Sequence, residues 1–233
     1  KCDRVMANPP FNVDMVDAER VKDDRRLPFG LPGVNKAKKV SNANYLWISY
    51  FWSYLNEKGR AGFVMSSQAS SAGHGERDVR RKIVESGDVD AMIAIRSNFF
   101  YTRTVPCELW FIDRGKPAAS PDQPSPPTPL PGGIASQLPL PLGDGRGEGK
   151  SCAALNAKNH VLMLDARSIY RKVTRKIFDF SPEQLSNLSA IVWLYRGQKE
   201  RFLGLVKDYL ADVSRECEAI PLALAEFDAA TDA

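Results

Sequence analysis

An amide, two prolines and an aromatic ring stand together near the start of this chain, in the run Asn8-Pro9-Pro10-Phe11. Consecutive prolines donate no backbone hydrogen bonds and keep the preceding residues extended, so the apolar strand before them must end in a stiff loop. In such a loop the Asn8 side-chain oxygen and a neighbouring backbone carbonyl could both accept from one exocyclic amine. Phe11 could stack on the ring that carries the amine. The residues thus suit methylation of a planar amine.

The four residues leave alternatives open. Similar loops serve methyltransferases that act on glutamine side chains or on guanine in RNA. A purely structural strand end, with two prolines followed by a core Phe, would have the same four residues. The rest of the chain must distinguish these alternatives.

Composition places the chain among ordinary globular proteins. Its 233 residues are 43% hydrophobic and 26% charged, and the net charge of +4 is compatible with nucleic acid without requiring it. The four cysteines are scattered and only two histidines are present, which disfavours a zinc site and favours reduced thiols. Since no apolar run reaches the ~20 residues of a membrane helix, we expect a cytoplasmic protein.

Apolar periodicity predicts strands and helices that alternate along the chain. The predicted strands cover residues 2–7, 60–65, 89–95, 106–113 and 160–165, and the predicted helices cover residues 44–58, 76–86, 181–197 and 198–216. Residues 89–113 are expected to form a hairpin-like pair at one edge of the sheet. The fold class is therefore α/β, a doubly wound, mainly parallel sheet with an antiparallel edge, followed by C-terminal helices.

Composition also divides the chain into four predicted parts. Residues 1–116 would form the α/β domain, and residues 117–158, rich in Pro and Gly, a disordered insertion. Residues 159–180 would add a final strand and a basic segment, and residues 181–233 a helical region. The charged segment 14–40 is predicted to be a long loop, whose cations could contact phosphates or simply be solvated.

The last predicted helix has one apolar stripe, formed by Phe202, Leu205, Val206, Tyr209, Leu210 and Val213. An amphipathic helix at the end of a sequence needs a surface to cover. That surface could belong to its own domain or to a helix of a partner subunit.

Several motifs occur in an order more specific than any one of them. They are Asn8-Pro9-Pro10-Phe11, Phe29-Gly30-Leu31-Pro32, Asn42-Ala43-Asn44-Tyr45, Gly59-Arg60-Ala61-Gly62-Phe63-Val64, Ile83-Val84-Glu85, and Asn98-Phe99-Phe100-Tyr101 with Val105-Pro106-Cys107. From residue 1 to about residue 197, without the insertion, the chain resembles the catalytic half of the methylation subunit of type I restriction-modification systems. These are N6-adenine DNA methyltransferases with a Rossmann-like sheet.

The resemblance assigns roles to the loop residues. It implies that Asn8 and the Pro9 carbonyl bind the adenine N6 amine, with Pro10 completing the loop, and that Phe11 stacks on the flipped base. Phe100, or else Phe99, would place a second aromatic ring against that base. No general base is nominated. The implied partners are DNA and the specificity and restriction subunits of a type I complex.

The methyl donor of the resembled family is S-adenosylmethionine, held by a glycine-rich loop and an acidic residue after earlier strands. Neither is found in this sequence, because the glycines at 143–147 follow no predicted strand. We therefore expect a substrate-binding half that is inactive alone and has no cofactor-binding or metal-binding residues of its own. The alternative is a non-catalytic DNA-binding or assembly subunit that keeps the fold.

Overall fold

The computed structural model describes residues 1–100, 104–118 and 157–231, and its elements follow the predicted alternation. In chain order they are β1 Cys2–Ala7, β2 Val16–Asp17, α1 Ala18–Val21, β3 Lys39–Val40, α2 Asn44–Tyr54, β4 Leu55–Ser66, α3 Gln68–Ser71, α4 His74–Glu85, β5 Val89–Ile95, β6 Cys107–Asp113, β7 Leu162–Asp165, β8 Arg171–Lys172, β9 Phe178–Asp179, α5 Pro182–Tyr195 and α6 Lys199–Thr231.

Five strands form the central sheet in the spatial order β1-β4-β6-β5-β7. Strand β1 is parallel to β4 and β5 is parallel to β7, whereas β6 is antiparallel to both β4 and β5. The predicted fold class is confirmed, and so is the antiparallel pairing of residues 89–95 with residues 107–113. The predicted position of this pair at the edge of the sheet is wrong, because β6 lies inside the sheet and β7 forms the edge.

Burial explains why β6 is an inner strand. Trp110 is fully buried and stacks on Phe63 of β4, with ring centroids 6.2 Å apart, while Ile112 is 1% exposed. A strand this deeply buried cannot leave a row of backbone groups unpaired, so it needs a neighbour on each side. The sequence shows that this strand is apolar but not that it lies between β4 and β5 in the sheet.

Helices cover both faces of the sheet. On one face α2 and α4 pack over β1, β4, β5 and β6, around Tyr45, Ile48 and Ile83. On the other face Leu188 of α5 packs over Ile93 and Ile95 of β5. Near β1 this second face stays open, and Met6 is 92% exposed. The structure is thus doubly wound, with one uncovered apolar region.

The long β4 strand begins earlier than predicted. Helix α2 ends at Tyr54 and the chain enters β4 at Leu55, so Gly59 lies in a strand rather than at a helix end. Leu55 is fully buried and pairs with Cys2 of β1. A Cβ on Gly59 would lie 3.0 Å from the Cys2 carbonyl oxygen. Tertiary pairing with β1 therefore sets this boundary.

The predicted long loop at 14–40 contains little regular structure, namely the two-residue antiparallel pair β2–β3 and one turn of helix, α1. Its cations are largely paired within the segment. Lys22 contacts Glu19 at 2.7 Å, Lys39 contacts Asp17 at 2.9 Å and Arg26 contacts Asp24 at 2.7 Å.

Most of the predicted insertion, residues 119–156, lies outside the described residues, so its disorder stays a prediction. Its two ends meet, because the Lys158 amide donates to the Pro117 carbonyl at 3.0 Å. Beside them the buried Lys116 ammonium donates to the Val89 carbonyl at 2.8 Å. Burial lowers the pKa of Lys116. The strand after the insertion begins at Leu162, two residues later than predicted.

The C-terminal helices are confirmed, with a longer last helix. The capping box of α5 is present, since the Ser181 hydroxyl accepts from the Gln184 amide at 3.2 Å and Gln184 accepts from the Ser181 amide at 3.0 Å. Helix α6 extends to Thr231, well beyond the predicted residue 216, and includes Pro221. In the described ranges no helix has both the length and the apolar character needed to cross a bilayer.

Candidate active site

The Asn8-Pro9-Pro10-Phe11 loop leaves the carboxyl end of β1, as predicted. Asn8 and Pro10 are exposed, Pro9 is buried and Phe11 is half-buried. Within the described ranges, no hydrogen bond engages the Asn8 side chain or the Pro9 carbonyl. Within those ranges neither acceptor is used by a protein donor, and both belong to a loop whose two prolines restrict its backbone.

A pair of asparagines holds the far end of this loop. The Asn12 amide donates to Asn44 Oδ1 at 2.9 Å, and Asn44 Nδ2 donates back to Asn12 Oδ1 at 2.9 Å. Asn12 has a positive φ of 54°, a conformation that asparagine tolerates, and Asn44 is 1% exposed in the first turn of α2. We call this pair the asparagine clamp. It fixes the loop to the helix layer.

Sequence reasoning missed the asparagine clamp. Asn42 accepts from the Asn44 backbone amide at 2.9 Å at the start of α2. The side chain of Asn44, however, points to the loop. The available signal was an amide at the start of an otherwise apolar, aromatic helix, where a buried polar group needs a partner.

The two aromatic candidates after β5 separate in the structure. Phe100 lies edge-on to Phe11, with ring centroids 6.1 Å apart and an interplanar angle of 76°. Phe99 packs instead against Phe180, with centroids 4.7 Å apart. The structure thus brings Phe100, rather than Phe99, next to the loop that carries Asn8.

A concave surface of about 740 Å³ lies beside Asn8, on the open region of the sheet. Apolar side chains from β1, β4 and β6 form most of it, and three arginines, Arg4, Arg60 and Arg196, line it as well. Arg60 is paired with the buried Asp113 at 2.7 Å, and Arg196 is paired with the buried Asp90. These two cations are thus already compensated by protein carboxylates.

A mostly parallel sheet with an Asn-Pro-Pro-Phe loop at the carboxyl end of a strand is the arrangement of a methyltransferase domain. The sequence profile of the family described as N-6 DNA Methylase matches residues 1–124, more than half of the chain. The chain belongs to this family. The predicted resemblance is confirmed.

Two curated relatives support the same family. The Type I restriction enzyme MjaIX methylase subunit of Methanocaldococcus jannaschii is 44% identical over 119 residues, which are 49% of this chain and 21% of that protein. The Type I restriction enzyme HindI methylase subunit of Haemophilus influenzae is 29% identical over 117 residues, which are 50% of this chain and 25% of that protein. The chain thus matches about a fifth to a quarter of the length of these relatives.

A solved structure supports the fold. The methyltransferase subunit of a type I restriction-modification system from Streptococcus thermophilus superposes with a TM-score of 0.56 at 16% identity, covering 82% of this chain and 31% of that one. At this identity the similarity concerns the fold alone.

Proposed function

We propose that this chain supplies the adenine-binding part of a DNA methyltransferase that transfers a methyl group from S-adenosylmethionine to adenine N6, within a type I restriction-modification complex. One observation carries the proposal. Asn8 and the Pro9 carbonyl present two unpaired acceptors on a rigid loop, next to the Phe11–Phe100 aromatic pair. The family match favours DNA over glutamine side chains or RNA guanine as the substrate.

Each residue then has a defined task. Asn8 Oδ1 and the Pro9 carbonyl oxygen accept the two N–H groups of the amine, which keeps electron density on the nitrogen that reacts. Pro10 restricts the loop so that the acceptors are held in place before the base arrives. Phe11 stacks on the base, and Phe100 supports Phe11 from the side, which offsets part of the cost of extruding a nucleotide.

We propose that the described residues do not hold the methyl donor by themselves. The lining of the cavity beside Asn8 contains no carboxylate for ribose hydroxyls, and Arg4 would face a cationic sulfonium. We therefore assign none of these residues to the donor. The relatives are four to five times as long as the matched part, and we place the donor site in regions that correspond to the rest of those proteins.

Helix α6 is the proposed contact with another subunit of the complex. Its residues up to Val206 include half-buried positions, while every residue from 207 to 225 is exposed. A helix without tertiary packing is marginal in water, so this part needs a partner. We propose the specificity subunit as that partner, with the restriction subunit joining the same complex.

Product analysis tests the proposed function. The intact subunit, assembled with its specificity subunit, is incubated with DNA and S-adenosylmethionine carrying a tritiated methyl group, and the DNA is digested to nucleosides. We expect the label in N6-methyl-2′-deoxyadenosine. Label in cytosine or in protein would overturn the assignment, and DNA binding without any transfer would favour the alternative of a non-catalytic assembly subunit.

The asparagine clamp provides a second test. Asn44→Ala removes the acceptor of the Asn12 amide and one of the two donors to Asn12 Oδ1, which keeps its 3.2 Å bond from Asn42 Nδ2, and we expect a cost of about 1 to 3 kcal/mol. For a chain of this size we expect a fall in melting temperature of about 2 to 12 °C. Methyl transfer measured well below that temperature should also fall, because the loop that positions Asn8 is loosened.

Asn56→Ala is the matched control for this prediction. Asn56 lies near the start of β4, at the end of the strand remote from the Asn8 loop, where it accepts from the Lys58 amide at 3.0 Å and donates to Asp3. We expect methyl transfer by this variant to stay at the wild-type level. Equal activity of Asn44→Ala and wild type at low temperature would show that the clamp does not position the loop.

A further inference from the structure

A basic hairpin follows the last strand of the sheet. Strands β8 and β9 pair antiparallel, and the turn between them contains Arg175 and Lys176. These two residues and Lys172 are exposed, and none of the three is in an ion pair within the described ranges. The hairpin therefore presents three uncompensated positive charges.

Two neighbouring cations, unlike these three, are paired with carboxylates. Arg167 is paired with Asp165 at 2.6 Å, and Arg171 is paired with Asp179 at 2.7 Å. The latter pair joins the two strands and stiffens the base of the hairpin. The cations of segment 14–40 are largely paired as well, so the hairpin is the stronger candidate for an external anion.

The hairpin is attached to the loop that carries Phe100. The Phe178 amide donates to the Asn98 carbonyl at 3.0 Å, which ties β9 to the turn after β5. Beside this bond, the Arg96 guanidinium lies 4.4 Å from the centroid of the Tyr170 ring and 5.0 Å from that of Phe178. Both distances are within the range of cation–π attraction.

The contacts continue to the proposed base site. Phe180, directly after β9, packs on Phe99, and the adjacent Phe100 packs on Phe11. The hairpin and the Asn8 loop therefore both contact the loop after β5 that contains Asn98 to Phe100, at the carboxyl ends of β1 and β5. A polynucleotide whose base enters between them must pass its backbone close to the hairpin.

We propose that the β8–β9 hairpin binds the phosphate backbone of the DNA strand next to the extruded adenine. Lys172, Arg175 and Lys176 contact the phosphates, and Arg96, held by two aromatic rings, is a positioning residue that fixes the hairpin to the Phe100 loop. The inference rests on the proposed function, since it takes DNA as the substrate. It identifies the protein surface that orients this DNA.

Salt dependence of binding tests the inference without methyl transfer. Each phosphate contact contributes about 0.9 to the slope of log affinity against log salt concentration. For the intact subunit in complex with its specificity subunit, Arg175→Gln with Lys176→Gln should reduce this slope by about 2 on a fluorescent duplex that contains the target site. Since both side chains are exposed and unpaired, folding should be unaffected.

Lys1→Gln with Lys58→Gln is the matched control. Both residues are exposed and lie toward the opposite edge of the sheet, so the slope should equal that of the wild type. An unchanged slope for the hairpin variant would overturn the inference, as would an equal reduction for the control. Neither result depends on whether Asn8 acts in methylation.

Phosphate ethylation interference then locates the contact. We expect ethylation of phosphates within a few nucleotides of the target adenine to block binding of the wild type, and this local effect to weaken in the hairpin variant. If the hairpin variant lost interference only at phosphates far from the target adenine, the proposed contact of the hairpin beside the base would be contradicted. Wild-type protein that binds no DNA would overturn both the inference and the proposed function.

Discussion

Replacing Asn8 with alanine should lower methyl transfer by about 10²-fold or more, while DNA binding and folding persist. Removal of one preorganised group that acts on the reacting atom typically has an effect of this size. Asn8 is exposed and its side chain has no hydrogen bond within the described ranges, so its loss should not disturb the fold. Single-turnover transfer of a tritiated methyl group measures the effect directly.

Two controls sharpen this experiment. Melting temperature and DNA affinity of Asn8→Ala should match those of the wild type, in contrast to Asn44→Ala, which should lose stability as well as activity. Pro9 cannot serve as a control because its carbonyl has a proposed role. Wild-type methylation by Asn8→Ala would remove Asn8 from the site and leave the loop as a strand terminator.

Charged residues in the exposed part of α6, residues 207–225, should strongly weaken its assembly with the specificity subunit. Leu210 and Val213 are 62% and 56% exposed and lie beyond Val206, after which every residue from 207 to 225 is exposed. Leu203, Leu210, Val213 and Ile220 are separated by seven, three and seven residues, the spacing of a heptad seam on a helix that pairs with another helix. A contiguous apolar stripe of this kind marks an interaction site.

The double variant Leu210→Glu with Val213→Glu should lower the affinity for the specificity subunit by about 100-fold or more, because each carboxylate would be buried without a partner. Size-exclusion chromatography and titration calorimetry measure this loss. Since neither side chain is buried in the described chain, circular dichroism of the variant should equal that of the wild type.

Ala211→Glu with Ala219→Glu is the matched control on the opposite side of the same helix. Both alanines are exposed, and the variant carries the same number of added charges. Normal assembly of the Leu210–Val213 double variant would remove α6 from the interface. Unfolding of that variant would instead identify the stripe as part of the core of its own domain.

The charged substitutions are placed at Leu210 and Val213 because the beginning of α6 packs on α5. The predicted stripe included Phe202, Leu205 and Val206, which are half-buried where α6 packs on α5. Charges there would damage the domain itself. The beginning of α6 packs on its own domain, which was the first alternative, and contact of its exposed remainder with a partner helix is our proposal.

The sequence by itself determined the features that depend on neighbouring residues. Two prolines must end a strand, so the position of the loop after β1 could be predicted from four letters. Apolar periods predicted the main strands and helices, and the capping box of α5 is a pattern of four consecutive residues. The order of motifs was enough to identify the family, because it is independent of how the strands are arranged in space.

Tertiary structure alone decided which distant residues meet. The placement of β6 inside the sheet, the asparagine clamp between positions 12 and 44, and the contact of Phe100 with Phe11 join segments that local patterns treat separately. So does the hydrogen bond between Phe178 and Asn98 that brings the basic hairpin to the site. Such contacts form because buried polar groups and rings need partners, and folding, rather than adjacency in the chain, selects those partners.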